Sequence, residues 1–220
     1  TSFTTLLSPD QNTLATATLR SEINKCRRCI VHFNRLFLYY GDLNSSPATP
    51  NRIFVTEFND FGYFPLFSYI DVVSDASLPI TNITRIRNEL VVFTPNSIYA
   101  ITGDKQENTS VYQINDKYGT WHGWSPAVVG NNIVYAGADN IYSLQPNQYL
   151  LNNYNVTAIG TDILPNYYDI RGSVTNASRF YGEFYNNQYY LCARLQNQAG
   201  STSPTSGIPQ STEAVVLKYN

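Results

Sequence analysis

Asn88-Glu89-Leu90-Val91-Val92-Phe93, followed by Thr94-Pro95-Asn96-Ser97 and then Ile98-Tyr99-Ala100-Ile101, spells a strand, a turn and a second strand. The β-branched and aromatic residues suit a pleated surface, and the Pro-Asn-Ser cluster supplies the reversal. The unit recurs as Gly130-Asn131-Asn132-Ile133-Val134-Tyr135, then Ala136-Gly137-Ala138-Asp139-Asn140, then Ile141-Tyr142-Ser143-Leu144. Both arms move together: Leu90 to Ile133 and Ile98-Tyr99 to Ile141-Tyr142 are each 43 residues apart. An isolated hairpin has no reason to keep both offsets.

Further copies lie on either side. Upstream, Arg35-Leu36-Phe37-Leu38-Tyr39 is followed, after a long insert, by Asn51-Arg52-Ile53-Phe54-Val55-Thr56-Glu57. Downstream, Asn186-Asn187-Gln188-Tyr189-Tyr190-Leu191 is followed, after a Ser/Gly/Pro-rich stretch, by Ala214-Val215-Val216-Leu217-Lys218-Tyr219. Leu36 to Leu90 is 54 residues and Ile133 to Tyr189 is 56. With the 43 between, these bracket the ~40–50-residue period of propeller blades. A polar turn before each copy predicts an earlier strand, at 29–33, 83–86, 127–129 and 180–184, and a fourth strand is predicted at 110–114 and 156–161. The sum is a four-stranded antiparallel blade, whose two apolar faces need neighbours to cover them.

The predicted fold is therefore all-β: a β-propeller with four recognisable blades at about 29–80, 81–120, 121–165 and 166–220, part of a larger propeller. Residues 1–28 read as a lead-in or linker, and only 14–30 have any helical character. The competing arrangement is a β-sandwich with regularly spaced hairpins.

Composition agrees with a β fold. Of 220 residues 43% are apolar, enough for a core, while only 14% are charged, below the ~25% usual in soluble domains. Lys plus Arg number 14 against 16 Asp plus Glu, a net charge of -2 that argues against holding nucleic acid by bulk charge. No apolar run approaches the ~20 residues that cross a bilayer as a helix, so no membrane partner is expected. The chain starts at Thr1 and contains no Met, so a fragment or cleavage product is expected, with other fragments of the parent chain as partners. Cys26, Cys29 and Cys192 cannot pair completely, which fits a reducing or chemically indifferent compartment.

Candidate chemistry is sparse. Cys26-Arg27-Arg28-Cys29 is a lone CxxC, and only Cys192, His32 and His122 remain to complete a zinc site, none in a second compact motif. Cys29 and Cys192 are read as small core residues. Asp42, Glu57, Asp60, Asp71 and Glu183 are the carboxylates that a glycosidase-like pair would draw on. Trp121-His122-Gly123-Trp124 offers two indoles to a sugar or a single strand of nucleic acid, but packing of both Trp between blades, with a solvated His, is the preferred reading. No G-x-S-x-G accompanies either His. Asn-X-Ser/Thr at Asn44, Asn82, Asn108, Asn155 and Asn176 is no more than composition alone provides. No catalytic, cofactor-binding or metal-binding residue is expected, and no cofactor.

The stretch Pro50-Asn51-Arg52-Ile53-Phe54-Val55-Thr56-Glu57, through Phe61-Gly62-Tyr63-Phe64-Pro65, Tyr69-Ile70-Asp71-Val72 and Pro79-Ile80-Thr81-Asn82-Ile83, to Asn88-Glu89-Leu90-Val91-Val92-Phe93 and Asn96-Ser97-Ile98-Tyr99-Ala100-Ile101-Thr102-Gly103, resembles the β-propeller of tail nozzle, stabilisation or muzzle proteins of short-tailed bacteriophages. Asp116-Lys117-Tyr118-Gly119-Thr120, Ser125-Pro126, Gly130-Asn131, Tyr135 and Asp139-Asn140-Ile141-Tyr142 continue the likeness, which covers about 30–145. The segment 121–124 departs from it, standing where the family runs from the glycine straight into Ser-Pro. The resemblance implies a non-enzymatic virion component, located in the tail. Its partners would be copies of itself in a ring, commonly six-fold, around the genome exit channel, with other tail and fibre proteins docked on it. Phage DNA would pass through without tight binding. The second reading, from another class, is a carbohydrate-binding or glycan-cleaving propeller acting on a host surface.

Overall fold

A computed structural model describes residues 14–41, 47–73, 78–103, 108–147, 153–163, 180–194 and 214–219. Among the described residues helix α1 (Leu14–Lys25) precedes fifteen strands in four separate sheets. The first contains β1 (Arg28–His32), β2 (Arg35–Tyr39), β3 (Arg52–Val55) and β4 (Tyr69–Asp71). The second contains β5 (Asn82–Ile86), β6 (Glu89–Phe93), β7 (Ile98–Thr102) and β8 (Ser110–Asn115). The third contains β9 (Ala127–Val129), β10 (Asn132–Ala136), β11 (Ile141–Pro146) and β12 (Tyr154–Ala158). The fourth contains β13 (Phe180–Tyr185), β14 (Gln188–Arg194) and β15 (Ala214–Tyr219).

Within each sheet the strands lie in chain order and every pairing is antiparallel. Such a meander is the blade of a β-propeller, and four distinct blades replace the two facing layers of a sandwich. The chain divides into two compact units, 1–119 with the first two blades and 120–220 with the last two.

The first two strands of every blade are joined by two residues, so one register serves all four copies: Arg35, Glu89, Asn132 and Gln188 each open the second strand. A right-handed strand twist favours a left-handed first turn residue here, and Phe33, Arg87, Gly130 and Asn186 have φ of 44°, 52°, 60° and 49°. The next residue in each second strand, Leu36, Leu90, Ile133 and Tyr189, is the position from which the sequence period is measured.

In unit 1 the alternation of β2 and β3 divides the apolar side chains between two faces. Leu38, Tyr40 and Phe54 turn toward Ile23 of α1, Cys26 and Phe64. Phe37, Tyr39, Ile53 and Val55 form one cluster with Ile83, Leu90, Val92 and Ile101 of the second blade. The helix covers one face of the blade and the neighbouring blade covers the other. The Ile83 N–H donates to Tyr39 Oη at 3.2 Å, joining the two blades where β1 and β5 come together. In unit 2 the corresponding core is Val134, Ala136 and Ile141 against Phe180, Tyr189 and Leu191, and β9 meets β13.

Several boundaries differ from the sequence reading. The helix ends at Lys25, short of residue 30, because the chain from Arg28 pairs with β2. Strand β12 begins at Tyr154, not 156, and β3 ends at Val55, not Glu57. The short β4 carries no strand signal of its own. It is held across the ladder by Arg52, whose Nε and Nη2 donate to the Asp71 carboxylate at 2.7 and 2.8 Å, with the guanidinium 3.6 Å over the Tyr69 ring. Cys29 faces outward on β1 and Cys192 is half-buried, so neither is the core residue expected.

Candidate functional site

The carboxylates named from the sequence serve local structure. Asp71 is held by Arg52, and Glu57 Oε1 accepts from the Phe58 N–H at 3.0 Å and lies 4.0 Å from Arg35. Asp60 Oδ1 accepts from the Gly62 N–H at 3.0 Å, tightening the turn that bridges Glu57 to Asp60. Glu183 stands exposed on β13 in the other unit, and Asp42 lies outside the described residues. Among the sequons, Asn44 and Asn176 also lie outside them. Asn108 and Asn155 are exposed, and Asn82 accepts a hydrogen bond from Thr84.

The two cysteines of the CxxC diverge. Cys26 is buried among Ile23, Leu38 and Phe54 while Cys29 is exposed. Burial, with the nearby Glu22 charge, pushes the Cys26 thiol up to about 12, so it stays protonated and is a poor ligand and nucleophile. Burial alone would also raise Glu22. Hydrogen bonds from Lys25 and Tyr40 and the Lys25 charge outweigh it, so Glu22 stays below the usual carboxylate range and remains an anion at the foot of α1. Among the described residues no three His, Cys, Asp or Glu side chains gather into a metal-sized cluster.

The segment 120–125 reverses the preferred expectation for its aromatic residues. His122 is only 6% exposed, against the Phe180 ring at 4.2 Å, whereas Trp121 and Trp124 are 43% and 49% exposed. The inversion follows from backbone bonding. Thr120 Oγ1 donates to the Ala136 carbonyl and accepts from the His122 N–H, Ser125 N–H donates to the His122 carbonyl, and Ser125 Oγ accepts from the Ala136 N–H. Tyr189 Oη donates to the Ser125 carbonyl at 2.8 Å. With Thr120, His122 and Ser125 drawn inward, both indoles are left outside.

The turn is also joined to β13. The Gly182 N–H donates to the Trp124 carbonyl at 2.8 Å, and a Cβ at Gly182 would stand 2.0 Å from the Ser125 oxygen, so only glycine permits the contact. Trp124 then stacks on Tyr181, with centroids 6.2 Å apart and planes at 30°. Along β13 alternate residues face outward, bringing Tyr181, Glu183 and Tyr185 to one face, the two tyrosines 52% and 72% exposed. The sequence reading missed these tyrosines. Aromatic residues occupy both parities of Phe180-Tyr181-Gly182-Glu183-Phe184-Tyr185, so alternation alone does not say which face is wet.

A second exposed apolar surface lies on the β3–β4 connection of unit 1. Phe58, Phe61, Leu66 and Phe67 are 50%, 44%, 37% and 74% exposed. The connection is nevertheless ordered by backbone hydrogen bonds: Glu57 N–H to the Tyr63 carbonyl, Asn59 N–H to that of Asn34, and Ser68 N–H to that of Pro65. Phe64 is buried beneath it. Each unit also has a wedge between its blades, of about 220 Å³ in unit 1, lined by Arg35, Phe37, Tyr69 and Val111 among others, and about 380 Å³ in unit 2.

No protein-family model matches the chain, and no curated protein matches it in sequence. Solved structures are similar in shape at low identity. The N-terminal domain of Nup159 overlays with a TM-score of 0.47 at 9% identity over 88% of this chain and 44% of that one. A Nup159-containing S. cerevisiae complex with Dbp5, Gle1, IP6 and ADP gives 0.48 at 10% identity over the same shares. The extracellular domain of a one-component system, BT4673 of B. thetaiotaomicron, gives 0.47 at 12% over 76% of this chain and 20% of that one. The chain thus spans less than half the length of these structures, and the overlap is too loose to carry a functional argument.

Proposed function

We propose that this chain is a structural, non-enzymatic propeller component of a bacteriophage tail. In this reading it forms part of the nozzle ring around the genome exit channel and a docking surface for other tail and fibre proteins. The observation that carries the proposal is the apolar surface of the β3–β4 connection. Phe58, Phe61, Leu66 and Phe67 are between 37% and 74% exposed on a backbone that hydrogen bonds hold in place, and large exposed apolar surface of this kind marks interaction sites. An assembled protein covers it. The low charge and the abundance of Tyr, Asn, Ser and Thr suit permanent neutral interfaces, and a net charge of -2 gives DNA in transit little to grip. Mass photometry across a concentration series is expected to show a discrete ring-sized particle, and filter binding with duplex DNA no salt-sensitive retention. A monomer at every concentration, or tight salt-dependent DNA binding, overturns the proposal.

A further inference from the structure

We infer that the exposed aromatic face of unit 2, formed by Trp124, Tyr181 and Tyr185 around Glu183, is a binding site for a neutral oligosaccharide. This does not depend on the tail reading, since it concerns what one face of the last two blades recognises.

Preorganisation is the first argument. An exposed aromatic ring binds well when its orientation is fixed beforehand, because little rotamer freedom is then lost on binding. The Trp124 backbone is fixed by the Gly182 N–H and by the buried bonding of Ser125 beside it, and its indole is steadied by the stack on Tyr181. The fold spends a glycine and several buried hydrogen bonds to hold an indole in solvent. Packing alone does not require that outcome.

Shape and spacing come next. Tyr181 and Tyr185 are four residues apart on one strand face, about 13 Å along the strand. The two rings thus address successive units of a chain-like ligand, not one small molecule. The face has hydrogen-bonding groups that match hydroxyls: the Glu183 carboxylate between the tyrosines, the two phenol groups, and the exposed amides of Asn186 and Asn187 at the end of the strand. A pyranose offers apolar C–H faces to aromatic rings and hydroxyls to acceptors around them. That is the complement of this surface.

Charge decides against the main competitor. A single strand of nucleic acid also stacks on aromatic rings, but it needs cations along its backbone. No Lys or Arg occurs in 121–129 or 180–185, and across the blade Glu183 lies in register with Tyr190 and Tyr190 with the exposed Lys218, so at that level the face sets one ammonium against one carboxylate and lacks the run of cations that a phosphate backbone follows.

The test uses the full chain on an array of neutral hexose oligosaccharides, with tryptophan fluorescence titration of any hit and of a dT12 strand. Binding of at least one neutral glycan is expected, with quenching or a shift of the Trp emission. Trp124→Ala and Tyr185→Ala are each expected to weaken it by about tenfold or more, as loss of a stacked ring does. Tyr185 is 72% exposed and Trp124 half-exposed, so unfolding by circular dichroism is expected to change little for Tyr185→Ala and modestly for Trp124→Ala, and Tyr185→Phe, which keeps the ring, is expected to retain most of the affinity. No glycan bound by the folded chain, glycan binding unaffected by both alanine variants, or tighter binding of dT12 than of any glycan would each overturn the inference.

Discussion

His32 is a histidine whose surroundings hold it neutral. It is 4% exposed, packs against the Phe33 ring at 4.2 Å with the planes tilted by 47°, and its Nε2 has no hydrogen-bond partner. Burial first, and then the Arg85 charge, lower its pKa from 6.5, partly offset by a hydrogen bond with the Asn88 backbone. A proton on Nε2 would be an unpaired buried donor. The unfolded chain binds that proton more readily, so stability is complete above pH 6.5 and is lost as pH falls from there through the depressed folded value. Urea midpoints between pH 7.5 and 5 are expected to decline, with a slope approaching at most ~1.4 kcal/mol per pH unit. His32→Gln should flatten the decline, and an unchanged slope in that variant would place the titration elsewhere. Burial at this scale was poorly legible in the sequence. His122 reads as a polar residue between two apolar ones, yet it is inside and both indoles are outside, because bonding of Thr120 and Ser125 to the Ala136 backbone decides the matter. Those partners lie 16 and 11 residues away, beyond any local pattern.

Strands were far easier to read than side-chain exposure. β2, β9 and β15 coincide with the segments proposed and β6 starts one residue later, since β-branched runs bounded by Asn-rich turns admit little else. The exception is β4, three residues paired with β3 by the backbone ladder, with Arg52 reaching Asp71 across it. Its existence is a tertiary fact. The junction of β13 with the 120–125 turn is of the same kind, and Gly182 is where the two backbones come closest. Gly182→Ala would drive a methyl into the Ser125 carbonyl, 2.0 Å from the ideal Cβ, and backbone cannot give way cheaply. Chemical denaturation is expected to show a loss of about 2 kcal/mol or more, in the range of overpacking and broken buried bonds. Tyr189→Phe removes only the donor to that carbonyl and is expected to cost about 1–2 kcal/mol. If Gly182→Ala proved the milder change, the turn would have to be free to move away from β13.

At the scale of the molecule, the repeat explains why there are blades but not how their surfaces are used. A blade buries an apolar face against whatever covers it: α1 and the second blade do so for the first. The sequence shows four phenylalanines between Phe58 and Phe67 on the β3–β4 connection but not which of them face water, because the same residues would suit a buried loop. Phe64 is in fact buried at 1% exposure, whereas Phe58 and Phe67 stand out at 50% and 74%. Their removal should therefore leave folding alone and change association. Phe58→Ser with Phe67→Ser takes away the two most exposed phenylalanines, and exposed positions of this kind usually shift stability by no more than about 0.5 kcal/mol each. Sedimentation velocity is expected to show the doubly substituted chain dissociating at concentrations where the parent is assembled, with unfolding midpoints nearly unchanged. An assembly held by this apolar patch, as proposed, is expected to persist in high salt, unlike one held by ion pairs. Equal assembly of both proteins would mean that this patch is not the interface and would remove the main support for a ring-forming role. A large fall in the unfolding midpoint would show instead that these side chains are covered within the chain itself.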